Sequence, residues 1–383
     1  MSVNKEFSPV TLREIREEKT ATRAEDTGKT VEKSIHFSSM DSLIQGALSL
    51  VCFFEHIHKE GYVYGANAAD PFRFSLQTGE LTEDAKKYLV KAYTMVAERP
   101  EGITLNEFLA PELVEAAASG QGFQFTPETD WYYLSVFLFE YFFHTGSPFE
   151  GKMMVNRCFL SPLEKEMYRV ENGRFCMDSD EEQNAPVKGI QDKLIRYWGE
   201  YPEMLRRMFR RAFIEGGTLS NLRPSEVDWK QLLVRMAMDY QTCGCGFKGF
   251  SHFLKEKGNG TLVCPGCGKL FYPLSNGMDR ILLKEGGKLY ACQTGRNPFD
   301  KDTVTGLIVE NRQRKGLFGI KNVSGGIWRG MYPDNTVKEI GRNQGIPIWD
   351  GMRIRFELGE DWSLKLTRPV KLYEESEVDG NEQ

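Results

Sequence analysis

The 383-residue sequence has no long hydrophobic run: the apolar stretch VFLFEYFF is eight residues and has a glutamate within it. A membrane-spanning helix needs about 20 apolar residues, so no membrane partner is expected. The opening MSVNKEFSPV lacks the apolar centre of a signal peptide, and a cytoplasmic protein is expected. An excess of positive charge is missing too. The 49 Lys and Arg face 54 Asp and Glu, a net charge of -5, which argues against a dedicated nucleic-acid binder. Cysteine is sparse outside one stretch. Four of the eight lie between positions 243 and 267, while Cys52, Cys158, Cys176 and Cys292 are scattered and read as reduced thiols.

What is present suggests an α+β, multidomain chain. Residues 1–34 read as a polar N-terminal arm, with Thr11 and Glu14 spaced as a capping box for one short helix. Over 38–60, Leu43, Ala47, Leu50, Phe54 and Ile57 fall at helical spacing behind Ser38 or Ser39 as cap. Further helices are expected near 106–118, 129–144, 200–214 and 224–239. The segment TDWYYLSVFLFEYFF is apolar nearly all round, which places its helix in the middle of a domain. Residues 151–199 read as an irregular surface excursion. After 241 helical periodicity stops. Short alternating runs such as DRILL, GLIVE, GIWRGM and RIRFEL, separated by EGG, SGG, PDN and WDG, predict a β-sandwich or barrel over 277–373. Residues 374–383 are an acidic tail.

Between these parts, 241–276 carries CGCG and CPGCG. Cys264 and Cys267 have the spacing with which one tight turn aims two thiolates at one ion, and Gly268 suits the left-handed close of that turn. Cys243 and Cys245 form a shorter, unusual Cys-x-Cys knuckle, and His252 is the alternative to Cys243 as a ligand. Four ligands would make a closed, structural Zn2+ site, a zinc ribbon; two disulfides are the alternative.

Residues 40–239 resemble, in ordered fragments, the C-terminal lobe of protein kinases. LIQGALSLVCFFEHIHKEGYVYG is similar to the helix entering the catalytic loop, APELV to the A-P-E motif, TDWYYLSVFLFEYFFHTGSPFEGK to the central helix, and LRPSEVDWKQLL to the end of the lobe. The resemblance implies that Glu112 pairs with Arg223 and that Asp130 accepts hydrogen bonds from the catalytic-loop backbone. It also shows what is absent. Phosphoryl transfer needs a base Asp, a metal-binding Asn and Asp, a lysine on the phosphates and a glycine-rich cover. The loop reads YGANAADP over 64–71, with Ala66 in the base position and Pro71 in the Asn position; the DFG-like position falls at Asp84 and Ala85. The turn expected at QTGE, 77–80, sets that register. Asp70 and Asp84 read as exposed loop aspartates. No GxGxxG and no Val-Ala-x-Lys precede residue 40.

Roughly residues 38–370 also resemble the kinases of bacterial tellurite-resistance-type phosphorylation triads, which are encoded beside a von Willebrand A-type protein and a PP2C-type phosphatase. SPFEGK, YPEMLRRMFRRAF, the ribbon and IKNVSGGIWRGMYPDNTVKEIGRNQGIPIWDGMRIRF carry the similarity. The β-domain is similar to a degenerate forkhead-associated (FHA) sandwich, and Arg296, Asn322 and Ser324 mark its candidate phosphopeptide surface. Residues 277–373 hold 17 Lys and Arg against 11 Asp and Glu, a net of +6, with ENRQRK at 310–315 as a basic turn. The expected domains are therefore the arm at 1–34, a kinase C-lobe-like domain without an N-lobe at 35–240, a zinc ribbon at 241–276, an FHA-like sandwich at 277–373 and the tail. The expected function is that of an inactive pseudokinase adaptor or scaffold in a bacterial phosphorylation or stress-response system. The alternatives are a serine/threonine kinase completed by a separate N-lobe, and a zinc-ribbon nucleic-acid-binding protein.

Overall fold

Ser39 sets the start of the helix Met40–Lys59. Its hydroxyl accepts the Ser42 N–H at 3.0 Å and Ser42 Oγ accepts the Ser39 N–H at 3.1 Å, which satisfies donors a helix otherwise leaves without partners. In this computed structural model the described residues are 9–23, 30–100, 102–105, 109–180, 182–257, 260–277, 279–295, 297–332, 334–357, 359 and 361–364. The chain divides into two units, Met1–Leu233 and Val234–Gln383.

In the first unit, Ile44, Ala47, Leu50, Val51, Phe54 and Ile57 bury one side of Met40–Lys59. The helix Pro127–Phe143 begins with proline in its first turn, where no amide partner is lost. Its residues from Tyr132 to Phe143 are all buried, as its mostly apolar composition implies. Phe54, Tyr64, Phe72 and Phe137 interlock at centroid distances of 5.4–6.4 Å, mostly tilted or edge-on. The strands Phe72–Phe74 and Leu81–Glu83 form the hairpin expected at QTGE. Gly79 has φ +75, and a Cβ there would stand 2.3 Å from the Ser42 carbonyl oxygen, so the turn accepts only glycine.

Two expectations are corrected here. The arm at 1–34 is folded over its described part. Thr11 and Glu14 do form a capping box on the helix Leu12–Glu17, but Val10–Thr11 also adds a strand to Phe72–Phe74, and Lys19–Arg23 pairs with Thr30–Ser34. Val10, Leu12 and Ile15 are buried, and Arg16 reaches the buried Glu140 at 3.1 Å. The excursion at 151–199 contains the helices Lys152–Val155, Pro162–Asn172 and Asp192–Glu200. Further helices include Pro111–Ser119, Glu203–Arg210 running into a π-helical turn at Arg211–Glu215, and Glu226–Asp239.

In the second unit two sheets enclose one core. The larger has the order Lys255–Lys257, Thr261–Val263, Leu270–Ser275, Asp361–Leu364, Arg353–Arg355, Trp328–Met331, Val337–Ile340, with Arg280–Leu283 also on Leu270–Ser275. The smaller runs Lys288–Tyr290, Val304–Glu310, Phe318–Asn322, Gly345–Pro347. Trp328, Phe356, Ile320, Ile346, Leu283 and Leu364 are among the side chains between them, the two inner faces of a sandwich. The boundary expected at 276 is absent as a structural break. Leu270–Ser275, the last strand of 241–276, pairs at its start with Thr261–Val263 and at its end with Asp361–Leu364 on one side and Arg280–Leu283 on the other.

Candidate functional site

The four-cysteine group is built by two turns. In the first, Cys243 N–H donates to the Phe247 carbonyl and Gly246 N–H to the Cys243 carbonyl, both at 2.9 Å. In the second, Cys264 N–H donates to the Lys269 carbonyl and Gly268 N–H to the Cys264 carbonyl, again at 2.9 Å. The two are the same device with one residue fewer in the first, which is why Cys-x-Cys serves there and Cys-x-x-Cys in the second. Gly246 and Gly268 close them at φ +95 and +73. Gly266 lets the other turn approach: a Cβ on it would stand 3.0 Å from Cys245 Sγ.

All four ligand atoms lie within 4.8 Å of one another. Cys243 Sγ is 3.5 Å from Cys267 Sγ, and Cys245 Sγ is 3.5 Å from Cys264 Sγ, well beyond the disulfide length of about 2.05 Å. His252 is outside the group and packs at a tilt against Phe253, ring centroids 4.1 Å apart. The Cys245 amide and the Cys267 side chain hold the Cys243 thiol down to about 7. The Lys269 amide favours a thiolate at Cys267, but the neighbouring sulfurs outweigh it and push that thiol up to about 12. Thiols this close cannot all ionise without a cation between them. The donor set fits a soft or borderline divalent metal such as zinc, held by Cys243, Cys245, Cys264 and Cys267. A satellite core of Leu254, Leu262, Cys264 and Phe271, with Phe247 and Leu282 against it, supports the site.

In the first unit, Arg223 is nearly fully buried and forms a fork on Glu112, Nη1 to Oε1 and Nη2 to Oε2, both 2.9 Å. The same guanidinium donates to the Gly216 and Glu128 carbonyls. Burial opposes ionisation of Glu112, but the guanidinium prevails and holds its carboxyl below the usual range. Asp130 is fully buried, and its Oδ2 accepts the Tyr64 N–H at 2.7 Å and faces His58 Nε2 at 2.8 Å. Glu226 lies against His58 Nδ1 and accepts from Trp131 Nε1 at 3.0 Å.

The segment 64–71 carries no carboxylate at either expected position. Ala66, Pro71 and Ala85 are buried. A Cβ on Gly102 would stand 2.6 Å from Ala66 Cβ, so the chain at 102 lies directly over the alanine. Asn67 clamps that cover: its Nδ2 donates to the Thr104 carbonyl at 2.9 Å and its Oδ1 accepts the Thr104 N–H at 3.0 Å. Asp70 is exposed and paired with Arg13 at 2.8 Å; Asp84 is exposed with Lys87 at 3.4 Å.

The candidate phosphopeptide surface does not assemble among the described residues. Asn322 is fully buried, its Nδ2 donating to the Gly326 and Ile340 carbonyls. Ser324 spends its hydroxyl on Asn322 Oδ1 at 2.7 Å. Both shape a turn, and Asn322 is corrected from a surface contact to a structural one; Arg296 lies outside the described residues. Arg312, Arg314 and Lys315 are exposed on the basic turn.

Sequence reasoning missed the buried pair of Glu166 with Arg169, at 2.9 Å, which also holds the Leu109 backbone ahead of APELV. It missed Asn184 as well, whose side chain bonds the Phe149 and Arg174 carbonyls and the Met153 N–H. The i, i+3 spacing of Glu166 and Arg169 was a visible signal, but such pairs are common on exposed helix faces.

No family model matches the sequence, and no curated protein matches it. Among solved structures the chain is similar to a Toxoplasma gondii specific rhoptry antigen kinase domain, at 13% identity and a TM-score of 0.32, over 51% of this chain and 46% of that one. The chain thus spans less than half of that domain's length, and a likeness so distant carries no functional argument.

Proposed function

We propose that this chain is a catalytically inactive adaptor, a kinase C-lobe-like helical domain followed by a β-unit with a structural zinc centre, working in a bacterial phosphorylation or stress-response system. The reading is carried by one observation: the place where the resemblance puts the catalytic base holds a buried methyl group with the Gly102 backbone directly over it. A methyl cannot take a hydroxyl proton, and Pro71 cannot hold magnesium. The fork of Glu112 with Arg223 and the bond from the Tyr64 amide to Asp130 support the lobe assignment, since they tie the same chain positions that the resemblance implies. The partners this reading suggests are a von Willebrand A-type protein and a PP2C-type phosphatase.

The test is nucleotide binding and phosphate transfer by the full chain. Neither a shift in melting temperature with ATP and Mg2+ nor label transfer from ATP is expected. The double variant Ala66→Asp, Pro71→Asn stays inactive, because a carboxylate at 66 would meet the 102–104 segment. An ATP-dependent shift in the unaltered protein would end this reading. Nucleotide binding that appears only with a second polypeptide would favour the kinase completed in trans.

A further inference from the structure

We propose that Lys284 is the charge-compensating residue of the four-cysteine centre, its ammonium set to offset the negative charge left when four thiolates hold one divalent metal. The inference rests on the metal reading of that centre.

Lys284 follows the strand Arg280–Leu283 and is half-buried. Its Nζ donates to Gln241 Oε1 and to the Thr242 carbonyl, each at 3.2 Å, the second being the residue before Cys243. It also lies over the Phe271 ring at 5.7 Å, within the satellite core that contains Cys264. Its hydrogen-bond partners are all neutral. The adjacent carboxylate, Glu285, faces Lys269 at 3.6 Å, and no ion pair of Lys284 with a carboxylate occurs among the described residues.

A partly desolvated cation without a counter-ion is costly. Burial and the nearby Lys269 charge both disfavour the Lys284 ammonium, while a thiolate at Cys243 favours it. A divalent ion with four thiolates has a net charge of -2, whereas four thiols or two disulfides are neutral. Lys284 therefore gains its full counter-charge in the metal-loaded state. Binding releases the four thiol protons, and the cation favours that release. Strand order supplies the geometry: Arg280–Leu283 lies on Leu270–Ser275, the strand that follows the second knuckle, so a side chain just past Leu283 can reach back to the first.

The experiment uses the full chain with zinc and a competing chromophoric chelator, and compares Lys284→Arg and Lys284→Gln with the unaltered protein. Loss of charge in Lys284→Gln should weaken zinc binding about 10-fold or more, while Lys284→Arg stays within about threefold. Urea unfolding separates charge from a mere strand tie. In zinc-stripped protein Lys284→Gln should leave the midpoint unchanged or raise it, and with zinc present it should lower it. Equal zinc affinity in Lys284→Gln, or the same stability loss with and without zinc, overturns the proposal while leaving the metal centre standing. If the unaltered protein takes up no zinc, the metal reading fails and this inference fails with it.

Discussion

His58 has an acceptor on each ring nitrogen, Asp130 on Nε2 and Glu226 on Nδ1. Only the imidazolium can donate to both. Burial works against that charge, yet the two carboxylates prevail and raise His58 to about 9. Burial likewise lifts Asp130, to about 6, with His58 and the Tyr64 amide only partly offsetting it. Both shifts have one sign: the folded state holds its protons more tightly than the unfolded chain. The His58 contribution is full below about 6.5 and is lost as pH rises through about 9; that of Asp130 is lost between about 4 and 6. Urea unfolding should therefore show stability falling by about 3 kcal/mol from pH 6 to pH 10 relative to His58→Gln. Parallel profiles for the two proteins would contradict the assignment. Glu112→Ala strands the buried Arg223 guanidinium and should cost about 3 kcal/mol by urea denaturation; a loss below about 0.5 kcal/mol would mean the fork contributes nothing. Glu112, Arg223 and Asp130 were legible through the motifs around them. His58 and Glu226 were not, because a histidine near a helix end and a glutamate in a first turn are ordinary surface features until a fold brings them together.

Among the elements, the long helices were legible because apolar spacing or continuous apolarity marked them. The segment 151–199 was not, because much of what it buries is polar. Glu166, Arg169 and Asn184 are all buried, yet each looks like surface in a sequence. The folded arm escaped notice for a related reason, since three apolar residues, Val10, Leu12 and Ile15, are too few to show a period. A prediction follows for the excursion. Glu166→Gln leaves the Arg169 charge buried and without its ion, and should lower stability by about 3 kcal/mol. Limited proteolysis should then cut within 156–190 sooner than in the unaltered protein, and an unchanged cleavage pattern would show that the pair is not what holds the segment. The ribbon knuckles were the clearest local signal. Their one-residue difference in length was not readable from spacing alone, because it depends on which carbonyl closes each turn.

For the molecule as a whole, the charge balance and the shift from helices to strands near 241 were legible, and the two units divide close by, after Leu233. The separation of ribbon from sandwich was not, since one strand belongs to both. Chelation should therefore be felt beyond the cysteines. Hydrogen exchange after metal removal should quicken in Tyr240–Thr242, Lys248–Phe250 and Thr261–Val263 and extend into Leu270–Ser275, while Pro127–Phe143 keeps its protection. Exchange unchanged throughout would mean the turns stand without the ion.

The pairing of Leu274 with Leu364 has a consequence for biosynthesis. Asp361–Leu364 sits in the interior of its sheet, between neighbours translated earlier, so a ribosome must finish nearly all of this unit before Leu270–Ser275 can find this last of its three partners. Strand pairings this distant in sequence close slowly, so this edge of Leu270–Ser275 is the last part of its sheet to be covered.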